Sequence, residues 1–347
     1  MTNILITGNQ GYIGTILSEE LYNLGYNIFG YDIGYYEDGF TNCASQKYIH
    51  TQKQKDIRNI NQNDLKNIDI VIHLAALSND PLGEFNQSLT NDINYKAALK
   101  TAIISKNSGV KKFIYISSQS MYGVSDSDDE LDEENSIKNP VTTYAKTKWE
   151  AEKELRLMNT ENFIVTMLRP STVFGASNRL RCDIVFNNLM ASAYSTGKIQ
   201  ILSDGSPWRP VIHVKDLSNA IIACINAPYN LIGGEAFNVG IPNGNYTVKD
   251  LAEAVKVVVP KADIIFKNEH TDPRTYKVSF KKILNQLKDY YKPKWNLVDG
   301  GYELLEFFDK NKFNEEEFKH ENYNRLKKLR ALTDKKLLDN NLYWKKN

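Results

Sequence analysis

Short continuous apolar runs alternate with helical patterns through the first half of the chain, and this alternation constrains the fold more than any other feature. The runs are rich in β-branched and aromatic residues, as is typical of strands buried on both faces, and they read NILIT, YNIFGYD, IDIVIHLAA, KKFIYISS and FIVTMLRP. Segments between them carry apolar residues at helical spacing and stop at a glycine, as in GTILSEELYNLG and NYKAALKTAIISKNSG. This order predicts an α/β fold with a doubly wound parallel sheet.

The pattern changes after residue 172, where helices, short strands and turns with proline and glycine replace the regular alternation. We therefore expect a dinucleotide-binding Rossmann domain over residues 1–172 and a smaller α/β substrate-binding lobe over residues 173–347. Residues 207–240 are expected to be interwoven with the first domain. Because no linker separates the two parts, we expect them to form one cooperative unit.

The composition excludes several classes of partner. The formal net charge of +1 gives no field that selects nucleic acid or a membrane surface. No apolar run approaches the roughly 18 residues of a membrane span, and MTNILITG enters a strand without a leader-like pattern. The widely spaced Cys43, Cys182 and Cys224 fit neither a disulfide framework nor a zinc site. These features predict a cytoplasmic protein with reduced thiols that binds neither nucleic acid nor membrane.

Two charged tracts have simple interpretations. The acidic run Asp126 to Glu134, DSDDELDEE, predicts a solvated loop rather than a metal site, and we expect no metal in this protein. The segment from Asp309 onward is rich in lysine and asparagine and predicts one or two surface helices. Its basic residues are interleaved with acidic ones, which argues against a nucleic-acid contact.

A glycine-rich turn follows the first predicted strand. In NILITGNQGYIG, Gly8, Gly11 and Gly14 come directly after the strand and open a helix. Such glycines let the backbone approach a pyrophosphate, and the helix N-terminus supplies N–H donors and a positive dipole end. Asp32 ends the second strand at the interval expected of a ribose partner. Because a carboxylate there repels a 2′-phosphate, the sequence predicts NAD rather than NADP as the cofactor.

A second motif, YAKTK, carries Tyr144 and Lys148 four residues apart, on one face of a helix. A free phenol has a pKa of about 10 and is a poor base at neutral pH. A nearby ammonium and the positive charge of an oxidised nicotinamide both favour the phenolate. Tyr144 could then remove a proton from a substrate hydroxyl while hydride leaves the same carbon.

These motifs occur together with others in one order: TGNQGYIG, VIHLAA, SSQSMYG, YAKTK and LRPSTVFG, followed by WRPVIHVKDLSNAI and AFNVG. From residue 4 to roughly residue 305 the combination resembles the extended short-chain dehydrogenase/reductase family. Within that family it is similar to the branch of sugar-nucleotide epimerases, dehydratases and reductases. The resemblance implies an NAD-dependent enzyme with a nucleotide-sugar substrate, and a homodimer paired through helices of the first domain.

The resemblance also implies roles for individual residues. Ser118, Tyr144 and Lys148 match the catalytic set: Ser118 bonds the reacting oxygen, Tyr144 is the acid/base, and Lys148 holds the nicotinamide ribose and lowers the tyrosine pKa. The implied cofactor-binding residues are Gly8, Gly11, Tyr12, Ile13, Gly14, Asp32, Asp56, Ile57, Leu74, Ala75, Ala76, Asn94, Tyr144 and Lys148. The implied substrate-binding residues are Ser118, Thr172, Arg181, Asn188, Leu189, Arg209 and Arg274.

Some of these assignments leave alternatives open. Arg179 and Arg181 either lie over the substrate phosphates or form salt bridges within the lobe. The spacing around Arg274 departs from the pattern of the family. His73 and His213 lie in apolar runs, which favours structural, hydrogen-bonded histidines over catalytic ones.

The residues after the SSQSMYG strand bear on the type of reaction. Members of the branch that remove water from C5 and C6 of the sugar resemble one another in a Thr-Asp-Glu run here, whose two acids act as general acid and base. This chain has Ser118, Gln119 and Ser120, which disfavours 4,6-dehydration. The remaining chemistry is oxidation or reduction at C4, by a 4-epimerase or by a C4-dehydrogenase or ketoreductase.

The motifs do not separate those two activities. Thr172 stands where many 4-epimerases carry asparagine, so the substrate need not be a glucose or galactose derivative. LSNDPLG and RLRCDIVFNNLM are similar to a subgroup from surface-polysaccharide pathways. Two further alternatives are a catalytically silent NAD-binding sensor and an oxidoreductase for a substrate without a nucleotide. The sensor is disfavoured because Tyr144 and Lys148 are both present, and the second because Arg209 would lack an anionic partner.

Overall fold

A parallel sheet forms the centre of the protein in a computed structural model, which describes residues 1–36, 47–124, 129–267 and 275–345. Its strands and those of three smaller sheets are, in chain order, β1 (Asn3–Thr7), β2 (Asn27–Asp32), β3 (Thr51–Gln54), β4 (Ile70–His73), β5 (Lys112–Ile116), β6 (Glu130–Leu131), β7 (Ile164–Pro170), β8 (Thr172–Phe174), β9 (Lys198–Ile201), β10 (Trp208–His213), β11 (Ala236–Val239), β12 (Asn245–Thr247), β13 (Asp263–Phe266) and β14 (Lys277–Val278).

Helices cover both faces of the sheet and build the second part of the chain. They are α1 (Tyr12–Asn23), α2 (Asp80–Gly83), α3 (Gln87–Thr90), α4 (Ala97–Asn107), α5 (Thr143–Leu157), α6 (Val185–Thr196), α7 (Val214–Asn226), α8 (Tyr229–Ile232), α9 (Val248–Val258), α10 (Lys281–Gln286), α11 (Leu297–Lys310), α12 (Glu315–Lys319) and α13 (Arg325–Asp334). A π-helical stretch, Asn91–Lys96, joins α3 to α4.

The seven described strands of the central sheet lie in the order β11-β7-β5-β4-β1-β2-β3, and every neighbouring pair is parallel. The order runs outward from β1 in both directions, so the chain reverses its direction of travel between β1 and β4. In an open α/β sheet, ligands bind beyond the carboxyl ends of the strands at such a reversal. The predicted α/β fold with a doubly wound parallel sheet is confirmed.

Alternate residues of each central strand feed two apolar layers. Ile4 and Ile6 of β1 face the layer under α1 and α7, whereas Leu5 faces the layer under α4 and α5. The neighbouring β4 repeats the alternation with Ile70 and Val71. All five side chains are at most 6% exposed. Burial on both faces explains why these strands read as continuous apolar runs.

The later part of the chain builds a third apolar cluster. Here α6, α9 and α11 pack on one another beside the parallel pair β9 and β13. The central strand of a three-stranded sheet, β10, is parallel to β8 and antiparallel to β12. The edge strand β11 comes from this later part of the sequence but pairs with β7 of the central sheet. The domain boundaries at 172 and at 207–240 stay predictions.

The chain returns to the first domain at its end. Two helices form after Asp309, and α12 buries no residue, as the expectation of surface helices requires. By contrast, α13 buries Arg325, Lys328, Leu329 and Leu332. The prediction of one or two surface helices is therefore confirmed by α12, whereas α13 exposes one face and packs Leu329 and Leu332 into the apolar layer under α4 and α5.

Three of the predicted features lie outside the described residues, namely Cys43, Arg274 and the start of the acidic run at Asp126. Cys182 and Cys224 are buried free thiols. Within the described ranges, no helix is long and apolar enough to cross a membrane, and no group of acidic, histidine or cysteine side chains is arranged to hold a metal ion.

Arg169 of β7 and Glu152 of α5 form a buried ion pair between the sheet and its covering helix. The two side chains are 1% and 3% exposed, and the arginine Nε lies 3.1 Å from the glutamate Oε1. Arg169 also donates to the Tyr122 hydroxyl at 2.9 Å. Removing one partner of such a pair strands a charge in the apolar interior.

We predict that Glu152→Gln destabilises the protein by about 3–5 kcal/mol, because the arginine keeps its charge and loses its counter-ion. The measurement is urea-induced unfolding followed by circular dichroism. Glu154→Gln, an exposed position on the same helix, is the control and should change stability by less than about 0.5 kcal/mol. Equal effects of the two substitutions would contradict the prediction.

Candidate active site

The glycine-rich turn connects β1 to α1 at the reversal point of the sheet. Gly8 has φ +78°, and a Cβ there would lie 2.8 Å from the Ala75 backbone nitrogen. A Cβ on Gly14 would lie 2.4 Å from the Gly8 carbonyl oxygen. Helix α1 begins after Gly11, and within the described chain no side chain caps it and no acid occupies its first turn. Its first N–H groups therefore suit an anionic phosphate.

One cavity brings together most of the residues expected to bind the cofactor. It extends from the glycine turn past the ends of β2 and β4, and the expected residues that line it are Gly8, Gly11, Tyr12, Ile13, Gly14, Asp32, Asp56, Ile57, Leu74, Ala75 and Ala76. At the far end, Asp32 accepts hydrogen bonds from the backbone N–H groups of Gln10 at 3.1 Å and Gly34 at 2.9 Å. The expected dinucleotide fits this donor and carboxylate set.

Asn94 supports the cavity without being among the residues that line it. Its side-chain oxygen accepts from the Leu77 N–H at 2.8 Å, and its side-chain nitrogen donates to the Leu77 carbonyl at 3.1 Å. Because Leu77 itself lines the cavity, Asn94 fixes the shape of the wall after β4. Asp56 is likewise engaged, in a salt bridge with Arg58 at 2.7 Å.

Ser118, Tyr144 and Lys148 meet where β5 ends and α5 begins. The Lys148 Nζ donates to the Ile116 carbonyl at 2.6 Å and lies 6.0 Å from the centre of the Tyr144 ring. Ser118 hydrogen-bonds the Tyr144 side chain. Its Oγ also accepts from the Ser120 backbone N–H at 3.1 Å. The structure therefore brings together the three residues expected to be catalytic.

Burial dominates the electrostatics of this group. It raises the pKa of Tyr144 to about 12, although the hydrogen bond with Ser118 acts in the opposite direction. Burial also lowers the pKa of Lys148 to about 7. Protein groups alone thus leave Tyr144 as a neutral phenol, which can donate a proton. The expected lowering of the tyrosine pKa requires the charge of an oxidised nicotinamide in addition to Lys148.

The residues next to Ser118 point in different directions. Gln119 is 2% exposed, and its side-chain nitrogen donates to the Arg169 carbonyl at 3.0 Å in the interior. Ser120 lines a cavity beside the catalytic group, and its Oγ lies 3.0 Å from the Ser118 Oγ. At the position of the missing Asp-Glu pair, the chain therefore presents only a hydroxyl to this cavity.

Two adjoining cavities continue from that point and hold expected substrate residues. Thr172 lines the one beside Ser120, Asn188 and Leu189 line the other, and Arg209 lines both. Asn188 donates to the Cys182 carbonyl at 2.7 Å. The two cavities have a common wall of Asn79, Pro81, Asp183, Ile184, Val185 and Arg209. We refer to them together as the substrate cleft.

Arg181 lies between the cofactor cavity and the substrate cleft. It lines the cofactor cavity, and its Nε is 2.8 Å from the Asp183 Oδ1, while Asp183 lines the cleft. Burial alone would raise the pKa of Asp183, but the charge of Arg181 holds it below its usual range. The salt-bridge alternative thus describes this arginine, and its contact with substrate stays a prediction. Arg179 is buried nearby.

The two histidines occupy structural positions. His73 is fully buried, its Nδ1 lies 3.0 Å from the Thr7 Oγ1, and burial lowers its pKa to about 3. His213 is also fully buried, stacks on Trp295 with 4.0 Å between ring centres, and lies 2.8 Å from Glu303. In the acidic run, Glu133 differs from the solvated loop we expected, because it is 5% exposed and accepts from the Asn238 backbone N–H at 2.6 Å.

Several residues of the site escaped the sequence analysis. Asp80 lines the substrate cleft and accepts a hydrogen bond from the Thr142 hydroxyl. Its negative charge raises the pKa of Tyr144. Its neighbour Pro81 marks a helix start, which was a usable signal. Tyr36 and Arg325 line the cofactor cavity, but no local pattern in the sequence links them to it.

Comparison with known proteins agrees with this geometry. The family model described as "NAD dependent epimerase/dehydratase family" matches residues 4–240. UDP-glucose 4-epimerase of Bacillus subtilis is 28% identical over 301 residues, covering 74% of this chain and 82% of that protein.

Two solved structures have the same fold. UDP-glucuronic acid 4-epimerase from Bacillus cereus, solved in complex with UDP-glucuronic acid and NAD, is 24% identical with a TM-score of 0.75, over 89% of this chain and 99% of that one. TunA, an NAD-dependent NDP-hexosamine 5,6-dehydratase, is 20% identical with a TM-score of 0.78, over 89% and 98%. The family match covers well over half of the chain. We conclude that this protein belongs to the NAD dependent epimerase/dehydratase family, as the resemblance to extended short-chain dehydrogenases/reductases implied, and that it is an enzyme whose cofactor is NAD.

Proposed function

We propose that this enzyme oxidises or reduces C4 of a nucleotide-linked sugar, as a 4-epimerase or as a C4-dehydrogenase or ketoreductase for surface-polysaccharide precursors. The observation that carries the proposal is the contact of Ser118 with Tyr144, at a strand end that opens through Ser120 into the substrate cleft. Bound NAD supplies hydride transfer at its nicotinamide ring. The hydroxyl of Tyr144 gives or takes the proton on the sugar oxygen, and Ser118 holds that oxygen in place.

The same geometry argues against 4,6-dehydration. That reaction needs an acid and a base next to Ser118, and Gln119 is turned into the interior while Ser120 carries no ionisable group. Asp80 and Asp183 line the cleft, but Asp80 is engaged with Thr142 and Asp183 with Arg181. Oxidation or reduction at one sugar carbon therefore fits the side chains of this site better than dehydration does.

A nucleotide-linked substrate is supported by Arg209, which lines both cavities of the substrate cleft. Arg209 offers a planar donor fork that suits a diphosphate. The relatives named above act on or bind UDP-glucose and UDP-glucuronic acid. We propose the same class of substrate, a sugar joined to a nucleoside diphosphate, for this protein.

Its quaternary structure and location are part of the same proposal. A homodimer through α4 and α5 would cover Ile103 and Leu157, which are 48% and 81% exposed. A cytoplasmic location would match a soluble nucleotide-sugar substrate.

We predict that Tyr144→Phe lowers turnover by about 10²–10⁴-fold, because the ring keeps its place and loses its proton. Turnover is followed by NMR of the C4 configuration over a panel of sugar nucleotides, with and without added NADH. Conversion without NADH identifies an epimerase, and a requirement for NADH identifies a reductase. Tyr302→Phe, at a half-exposed position, is the control. Full activity of Tyr144→Phe would refute the assignment of the catalyst.

Nucleoside diphosphates test the substrate cleft separately. We expect one of UDP, GDP, CDP and dTDP to raise the melting temperature, by an amount equivalent to about 2.7 kcal/mol at a hundredfold excess over its Kd. Arg209→Met should weaken that Kd about 10- to 100-fold, whereas the surface variant Arg156→Met should leave it unchanged. If none of the four nucleotides shifts the melting temperature, the substrate lacks a nucleotide.

The buried Lys148 makes stability depend on pH in a defined direction. Its pKa is about 7 in the folded protein and 10.5 when exposed, so between those values the unfolded chain binds the extra proton. Stability therefore rises with pH across that window. Relative to Lys148→Met, the cofactor-free wild-type protein should gain about 3 kcal/mol between pH 6 and pH 9.5, as measured by urea unfolding. The exposed control Lys146→Met should track wild type at both pH values, and a parallel response of Lys148→Met would contradict the prediction.

A further inference from the structure

The C-terminal segment, residues 321–345, packs beside the cofactor cavity and contributes Arg325 to its wall. Its last part is anchored on the loop after β2, where the Tyr35 hydroxyl donates to the Leu342 carbonyl and the Trp344 Nε1 donates to the Ile33 carbonyl at 2.7 Å. Ile33 and Tyr35 also line the cavity. The segment lies far beyond residue 240, where the family match ends. Its contribution to the site therefore lies outside the residues matched by the family model.

Arg325, the first residue of α13, lies in the wall of the cofactor cavity together with the glycine turn. It is 3% exposed, and its guanidinium lies 4.3 Å from the centre of the Tyr36 ring. The guanidinium donates to two main-chain carbonyls, of Arg179 at 2.7 Å and of Asn322 at 3.4 Å. A guanidinium has five N–H donors, so these two bonds leave donors for a ligand in the cavity.

Two buried guanidinium groups act on the Asp183 carboxylate. Arg181 and Arg325 are each at most 8% exposed, Arg181 pairs with Asp183, and the charge of Arg325 also lowers the pKa of that carboxylate. The Arg325 backbone N–H donates to that carboxylate at 3.1 Å. Burial and the neighbouring Arg181 lower the pKa of Arg325 to about 10. A phosphate group in the cavity would favour the charged form of Arg325.

We propose that Arg325 binds the phosphates of NAD and that the C-terminal segment retains the cofactor by closing its cavity. The phosphates are the anionic part of a dinucleotide that this cavity fits, and a guanidinium is suited to them. On the other side of the same turn, Asn324 and Leu326 line the substrate cleft. The start of α13 thus lies between the cofactor cavity and the substrate cleft, and a segment that must detach before NAD leaves would slow its release. This inference concerns the cofactor alone and holds for either C4 reaction.

The test compares Arg325→Met with Arg330→Ala, an exposed control on the same helix. We expect Arg325→Met to purify with less bound NAD and to release NAD about 10- to 100-fold faster, as measured by competition with excess labelled NAD. In titrations of cofactor-free protein, the loss of affinity should be the same for NAD and ADP-ribose and absent for adenosine, which has no phosphate. Arg330→Ala should behave as wild type throughout.

A second variant keeps the proposal testable if Arg325→Met does not fold. Trp344→Ala removes an anchor of the segment at a partly exposed position and leaves Arg325 in place, so it should also release NAD faster. Three results would overturn the proposal: release from Arg325→Met within twofold of wild type, an equal loss of adenosine affinity, or weaker UDP binding with unchanged NAD binding. Wild-type release from a folded Trp344→Ala would overturn the retaining role of the segment.

Discussion

The parallel pairing of β1 with its neighbours is the constraint on which the site depends. Because these strands run in one direction, their carboxyl ends open at the same edge of the sheet. Gly8 follows β1, Leu74 follows β4 and Ser117 follows β5. The helix that starts after Gly11 can point its N-terminus at this edge only because Gly8 and Gly14 carry no Cβ. The residues expected to bind the cofactor and those expected to be catalytic thus lie at one edge of the sheet.

The site at this edge contains ionisable side chains whose charged forms are disfavoured by burial. Lys148 is 3% exposed with a pKa near neutrality, so in the protein alone burial disfavours its charged form. Burial lowers the pKa of Arg325 in the same way. A dinucleotide bound as proposed would bring negative phosphates to Arg325 and a hydrogen-bonding ribose to Lys148. The stability lost to these buried groups in the free protein is therefore recovered as affinity for the cofactor.

The sequence was sufficient to predict the elements in which the local residue pattern and the burial agree. Strands buried on both faces read as apolar runs, and the glycine turn lies at a fixed place in a strand–helix unit. The sequence did not predict features that depend on contacts between residues far apart in the chain. The edge strand β3 reads TQKQ and forms only because β2 offers it hydrogen-bonding partners. Arg325 lies about 300 residues from the turn it joins, and no periodicity relates the two.

The enclosure of the cofactor bears on the choice between the two C4 reactions. A dehydrogenase or ketoreductase must exchange its cofactor, or have it re-oxidised or re-reduced by a partner, once per turnover. An epimerase returns the hydride to the same sugar and needs no exchange. If Arg325 and the segment anchored through Trp344 retain NAD as proposed, they would slow exchange without affecting a closed redox cycle. If NAD is retained as proposed, the chemistry that this fold serves best is epimerisation.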